Sequence, residues 1–196
     1  PTIYTNGIDE VFYKKDFSNN QNRLKPQILY TGNIGEGQGL HKIIPVAASE
    51  LKDMQFKLIG DGSAKKLLTD NHLFKSLTNI EFLNPVLRDD LVSEYQNTDI
   101  LFLHLNDYRA FQKVLPSKIF EYAATGKPIL AGVSGYAAEF LRNEVKGVEV
   151  FNPCDVMSMK LGLQKLLKGP KIIDRSNFCF FYNRKKIMKK LAADVF

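Results

Sequence analysis

Residues 115–128, LPSKIFEYAATGKP, gather a hydroxyl, an ammonium and a carboxylate within five positions: Ser117, Lys118 and Glu121. Pro116 suits a first helical position, where a missing amide hydrogen is no loss. The polar trio then falls in the first turn and a half, beside unpaired amides and the positive end of the dipole. Gly126 and Pro128 stop the helix, and PILAG behind it reads as a buried strand. A cationic helix start between two apolar strands is a place to hold an anion. On spacing alone, a solvated helix with a chance lysine fits as well.

A second candidate is GNIGEGQG at residues 32–39, four glycines between an apolar run and a helical stripe. Glycine lets a backbone approach a phosphate closely and adopt positive φ; a tight strand-to-helix turn without ligand would need the same residues. A dinucleotide fingerprint fails here. Asp61 sits where a ribose-binding acid would, but after Gly35-x-Gly37 the third glycine would fall at Leu40. No P-loop pattern occurs. His41, His72 and His104 lie far apart without HExxH or metal spacing, and no GxSxG elbow appears. His104 ends a strand at the expected cleft mouth, with a structural use favoured over ligation, and the polar segment 106–109 is placed beside the sugar pocket. Cys154 and Cys179 are too few and too isolated for a disulfide framework or a metal site, and read as small apolar residues in a reducing compartment.

The elements that must position these groups follow from apolar patterning. Strands are predicted at residues 27–31, 56–59, 80–83, 99–105, 128–131 and 147–151. Helices are predicted at 40–51, 63–75, from about 89, at 115–126, 136–142, 155–167, and as one irregular helix over 176–196. Short apolar strands alternating with helices imply parallel pairing and right-handed crossovers. The expected fold is α/β: a single Rossmann-like, doubly wound parallel sheet of about six strands with helices on both faces. Ligands of such sheets bind outside the carboxyl ends of the strands, where strand order reverses. That rule selects residues 32–39, 60–62, 83–88 and 105–115.

With 196 residues, 44% of them hydrophobic, the chain can bury a full core as one domain. A net charge of +6 is compatible with nucleotide phosphates, nucleic acid or an acidic membrane surface without choosing among them. No run of eighteen apolar residues exists. The basic tail (Arg184, Lys185, Lys186, Lys189, Lys190) reads as a solvated face, or, with Ile187, Met188 and Leu191 opposite, as a docking helix. Basic charge without interleaved stacking aromatics argues against a nucleic-acid partner. A start at Pro1 rather than Met, with no signal peptide, is expected of a piece of something longer.

Taken together, these motifs resemble the C-terminal, donor-binding domain of GT-B glycosyltransferases, in particular the retaining family-4 type. TNGID at 5–9 is similar to the motif that follows the interdomain linker. YTGNIGEGQGL at 30–40 is similar to the glycine-rich loop, and LIGDG at 58–62 to the second strand. NIEFLNPVLRDDLVSEYQNTDILFL is similar to the module from third to fourth strand, and PSKIFEYAATGKPILA to the signature helix. The variant resembles bacterial transferases of O-antigen and capsule synthesis. The resemblance implies half of a GT-B fold, with residues 1–15 as interdomain linker, 16–175 as the nucleotide-sugar domain and 176–196 packing toward an N-terminal acceptor domain.

The resemblance also implies the site. Glu121 would bond ribose hydroxyls as the second acid of an E-x7-E motif. Amides around Leu115, with Ser117 and Lys118, would take the diphosphate; Asn84, Pro85 and Val86 would meet the base; Gly35, Gly37 and Gln38 would line the glycine loop. Two departures from the pattern matter: Lys113 stands where the first acid belongs, and Asn33 and Gln38 replace the loop's usual arginine and lysine. The implied donor is a UDP-sugar, with no metal cofactor, and the implied acceptor is lipid-linked or polysaccharide. The implied location is cytoplasmic, peripheral on the inner face of the membrane. A GT-B sugar epimerase is a rival, although FQKVLPS lacks its glycines. A non-catalytic nucleotide-binding module is a second rival, which the departures at Lys113 and Gln38 favour.

Overall fold

The computed structural model describes residues 6–18 and 23–195. Thr5 of the TNGID motif, residues 19–22 of the following loop and Phe196 lie outside the described residues. Six strands, β1 (Gln27–Asn33), β2 (Gln55–Asp61), β3 (Ile80–Leu83), β4 (Ile100–His104), β5 (Ile129–Gly132) and β6 (Val148–Phe151), form one sheet in the order β3-β2-β1-β4-β5-β6. Every pairing is parallel. The order reverses between β1 and β4, as in doubly wound nucleotide-binding sheets.

Both faces are covered, as parallel sheets require, and the period-two alternation of each strand divides the core. Leu29, Leu101, Leu103, Ile129 and Ala131 point to one side. There they meet α1 (Glu10–Tyr13), α5 (Arg88–Gln96), α6 (Lys118–Ala124), α7 (Gly135–Glu144) and α9 (Ser176–Phe181). Ile28, Tyr30, Phe56, Leu58, Phe102 and Leu130 point to the other, against α2 (Leu40–Glu50), α3 (Lys65–Thr69), α4 (His72–Ser76) and α8 (Val156–Lys168). The expected fold class is the observed one.

Three of the helices depart most from the sequence expectation. The helix expected over 63–75 is broken into α3 and α4, because Asn71 caps a new start by accepting from the Leu73 and Phe74 amides. The helix of the 115–128 stretch begins at Lys118, not Pro116, and Ser117 caps it without a side-chain bond. The tail is two helices, α9 and α10 (Arg184–Val195). α9 belongs to the core, with Phe178 stacked on Phe120 and packed on Phe140 and Tyr182. In α10 no residue from Arg184 to Asp194 is buried.

The segment read as a linker is also bound into the domain. Ile8 and Phe12 are each 1% exposed. The Ile8 amide donates to the Tyr182 carbonyl at 2.7 Å, and the Arg184 amide donates to the Ile8 carbonyl at 3.1 Å. Asp9 pairs with Arg88 and Arg184, and Glu10 with Lys14 and Lys185. Among the described residues no helix is long and apolar enough to cross a membrane.

Candidate functional site

β1 and β4 end side by side at the switch point, so the loops leaving them must pack on each other. The glycine loop folds as a 3-10 turn (Glu36–Gln38) followed by Gly39 at φ 64°. Its neighbour is the segment after β4. The Asn106 amide donates to the Gly37 carbonyl at 2.8 Å, and the Asn106 side chain donates to the Glu36 carbonyl at 2.9 Å. A Cβ on Gly37 would lie 2.7 Å from the Phe111 ring. The close approach that glycine permits is therefore used here by protein. Gln38 turns inward as well: its side-chain oxygen accepts from the Gly35 amide (3.1 Å) and from Asn33 (3.0 Å).

His104, at the end of β4, is fully enclosed. Its Nδ1–H donates to the Gln38 carbonyl (2.6 Å), while Nε2 accepts from the Cys154 amide (2.9 Å). Both ring nitrogens are thus occupied by the neutral tautomer, and burial lowers the imidazole pKa to about 4. It is a brace for the two loops, the structural use expected of it. Asn106 is likewise buried and shared with Lys42 (2.9 Å), so it braces the loop from within.

A cleft of about 290 Å³ opens at the carboxyl ends of β1, β2 and β3, lined by Thr31, Asn33, Asp61, Pro85, Val86 and Lys118 among others. Gly60 belongs to its floor: a Cβ there would collide with the Gly32 carbonyl on the neighbouring strand. Lys118 reaches Glu121 Oε2 at 2.8 Å, and both side chains remain about a quarter exposed. Behind the pair lie Tyr95, whose hydroxyl is 3.3 Å from Glu121 Oε2 and 3.4 Å from Lys118 Nζ, and Thr31, 3.0 Å from Tyr95. The Ile119 and Phe120 amides already donate to the Pro116 and Ser117 carbonyls, so these two are not among the open donors of the helix start. A larger hollow, about 760 Å³, lies beside α9 at the amino end of β5, away from the switch point.

Residues 12–179 match the sequence profile of the family described as glycosyl transferases group 1. The chain belongs to that family. Among curated relatives of this glycosyl transferase domain is WcaI of Escherichia coli, whose name assigns it to colanic acid biosynthesis as a glycosyl transferase. It is 30% identical over 151 residues, 75% of this chain and 37% of WcaI. Solved structures share the fold. HepE of Anabaena, solved with UDP and glucose, has a TM-score of 0.68 at 17% identity and covers 88% of this chain. A glycosyltransferase from Rickettsia africae has a TM-score of 0.72 at 15% identity over 98%. WaaB, a lipopolysaccharide outer core galactosyltransferase, has 0.72 at 14% over 99%. The chain spans 48% of the first and 55% of each of the other two, so it corresponds to about half of such a protein.

Within this glycosyl transferase domain, the expected site residues fall into three groups. Pro85, Val86 and Lys118 line the cleft, with Glu121 bonded to Lys118. Gly35, Gly37 and Gln38 build the glycine loop, while Leu115 and Ser117 lead into α6. Asn84 and Lys113 stand apart: Asn84 accepts from Lys65 at 2.9 Å, and Lys113 is exposed at the end of the 3-10 turn Arg109–Lys113. Thr31 and Tyr95 were not singled out from the sequence. Their only signal was position, one at a strand end and one inside a helix, with no pattern joining them. Among the described residues no group of three or more His, Cys, Asp or Glu side chains is placed to hold a metal ion.

Proposed function

We propose that this chain is the donor-binding half of a retaining GT-B glycosyltransferase of cell-surface glycan synthesis that takes a UDP-sugar. The observation that carries this reading is the Lys118–Glu121 pair on the rim of the switch-point cleft. In the free site the two charges satisfy each other. A donor would exchange that pair for two better matches, its diphosphate for Lys118 and its ribose hydroxyls for Glu121, with the base against Pro85 and Val86. HepE, a fold relative, was solved with UDP, which supports the choice of nucleotide. Helix dipole and lysine would then stabilise the departing diphosphate electrostatically, with no metal ion, as the sugar becomes cation-like. Lys113, exposed at the end of its 3-10 turn, would add positive charge where related enzymes carry a carboxylate.

Sugar transfer would need an N-terminal acceptor domain, with the half-buried Ile187 and Leu191 and the exposed Met188 of α10 packing toward it. Peripheral contact with an acidic membrane would fall to Lys186, Lys189 and Lys190, since Arg184 and Lys185 already pair with Asp9 and Glu10. Retention on anionic but not neutral vesicles, lost with rising salt, is the result that contact requires.

The site itself is tested by thermal shift. UDP at about a hundredfold over its dissociation constant should stabilise the chain by roughly 2.7 kcal/mol. Lys118→Ala should weaken UDP and pyrophosphate alike. Glu121→Ala should weaken UDP by roughly tenfold and spare pyrophosphate, because it removes one charge-assisted contact of about 1.5–3 kcal/mol. If neither substitution alters the shift, or if NAD stabilises better than UDP, this assignment fails.

A further inference from the structure

Tyr95 has no exposed surface, yet its hydroxyl ends at the charged rim of the cleft. The hydroxyls around it can be assigned a direction by donor accounting. Tyr122 Oη accepts from the Thr31 amide at 3.1 Å, and the Thr31 hydroxyl lies 3.2 Å from Tyr122 and 3.0 Å from Tyr95. If Tyr122 donates to Thr31, Thr31 donates to Tyr95 and Tyr95 donates to Glu121 Oε2, every proton has an acceptor. In the reverse direction the proton of the fully buried Tyr122 would have none among these groups, which burial makes costly. The relay therefore runs from the β1 backbone outward to the carboxylate. Burial, first, holds both phenols protonated by raising their pKa values, so the Tyr95 donor is present throughout the working pH range.

We propose that Tyr95 is a positioning residue for the nucleotide-ribose contact: it anchors Glu121 Oε2 when Lys118 moves to the diphosphate, leaving Oε1 to the ribose hydroxyls. In the free chain Glu121 Oε2 has two partners, Lys118 at 2.8 Å and Tyr95 at 3.3 Å. A diphosphate draws the first away. The second cannot follow, because its ring is packed edge-on against Tyr122 at 5.6 Å. Without it, Glu121 would regain side-chain freedom at the moment of binding, and fixing it again would cost affinity. This inference rests on the reading of Lys118 and Glu121 given above.

The test measures the affinities of the 196-residue chain and of Tyr95→Phe for UDP, 2′,3′-dideoxy-UDP and pyrophosphate by calorimetry, with melting temperatures recorded alongside. The wild type should prefer UDP over the dideoxy nucleotide by about tenfold or more, as expected for one charge-assisted contact. Tyr95→Phe should weaken UDP about fivefold to tenfold and leave the other two ligands within about twofold, so that discrimination by the ribose collapses. If Tyr95→Phe does not fold, Thr31→Val interrupts the relay one bond earlier and should reduce the discrimination by about threefold. Unchanged discrimination in the variant that folds overturns the proposal while leaving the site reading intact. Equal weakening of all three ligands, with a lower melting temperature, reduces Tyr95 to a packing role and also overturns it. Absence of UDP binding to the wild type overturns the site reading, and this inference with it.

Discussion

At the scale of single residues, His104 ties three segments together through atoms rather than volume. Protonating Nε2 would expel the Cys154 amide from its acceptor, and burial opposes the charge. The folded pKa near 4 lies below the ordinary value of 6.5, so the unfolded chain takes up the proton first. The associated stability is present above pH 6.5 and is lost as pH falls toward 4, by up to roughly 3 kcal/mol. Urea unfolding at pH 7 and pH 4.5 should register that loss. Imidazole resonances should show no titration of His104 above about pH 5, and a midpoint near 6.5 would contradict the brace. The sequence placed His104 at a strand end but could not supply its partners. Gln38 and Cys154 lie 66 and 50 positions away, and Cys154 holds a left-handed backbone, φ 61°, that its residue type does not announce. Tyr95 was hidden for the same reason: a helical tyrosine reads as core until its neighbours are known.

The types of most elements were read correctly, while boundaries were missed where a local cap such as Asn71 or a contact from a distant segment decides them. Strand runs and amphipathic stripes located all six strands and most helices. The glycine loop shows the limit. Four glycines fit a phosphate cradle or a tight turn equally, and the group that occupies the space at Gly37 is Phe111, brought in by the next loop. Gly37→Ala should cost about 1–3 kcal/mol by overpacking, and Phe111→Leu should recover part of it in the double mutant, measured by urea unfolding. The tail offers the opposite case. Phe178 is buried among rings, and Phe178→Ala should cost about 3–5 kcal/mol. Ending the chain after Lys185 should cost less than about 1 kcal/mol, because no residue from Lys186 to Asp194 is buried. A large loss on truncation would mean that α10 supports this domain rather than waiting for another.

For the molecule as a whole, fold class and family were legible because alternating strands and helices leave few arrangements, and because the site motifs occur in fixed order along the chain. What could not be read was the closure at the chain's two extremities. The segment at Ile8 and the turn at Asn183 form a parallel bridge, made of two backbone hydrogen bonds and flanked by the ion pairs of Asp9 and Glu10. This bridge has a mechanical consequence. Tension arriving along the chain before Gly7 and after Arg184 meets at one corner and closes its loop there. The load passes through the bridge itself, and α1, α9 and the six strands are left outside its path. A body tethered through both segments could swing about that corner while the cleft between β1 and α6 kept its dimensions, as a door moves on its hinge without bending the wall.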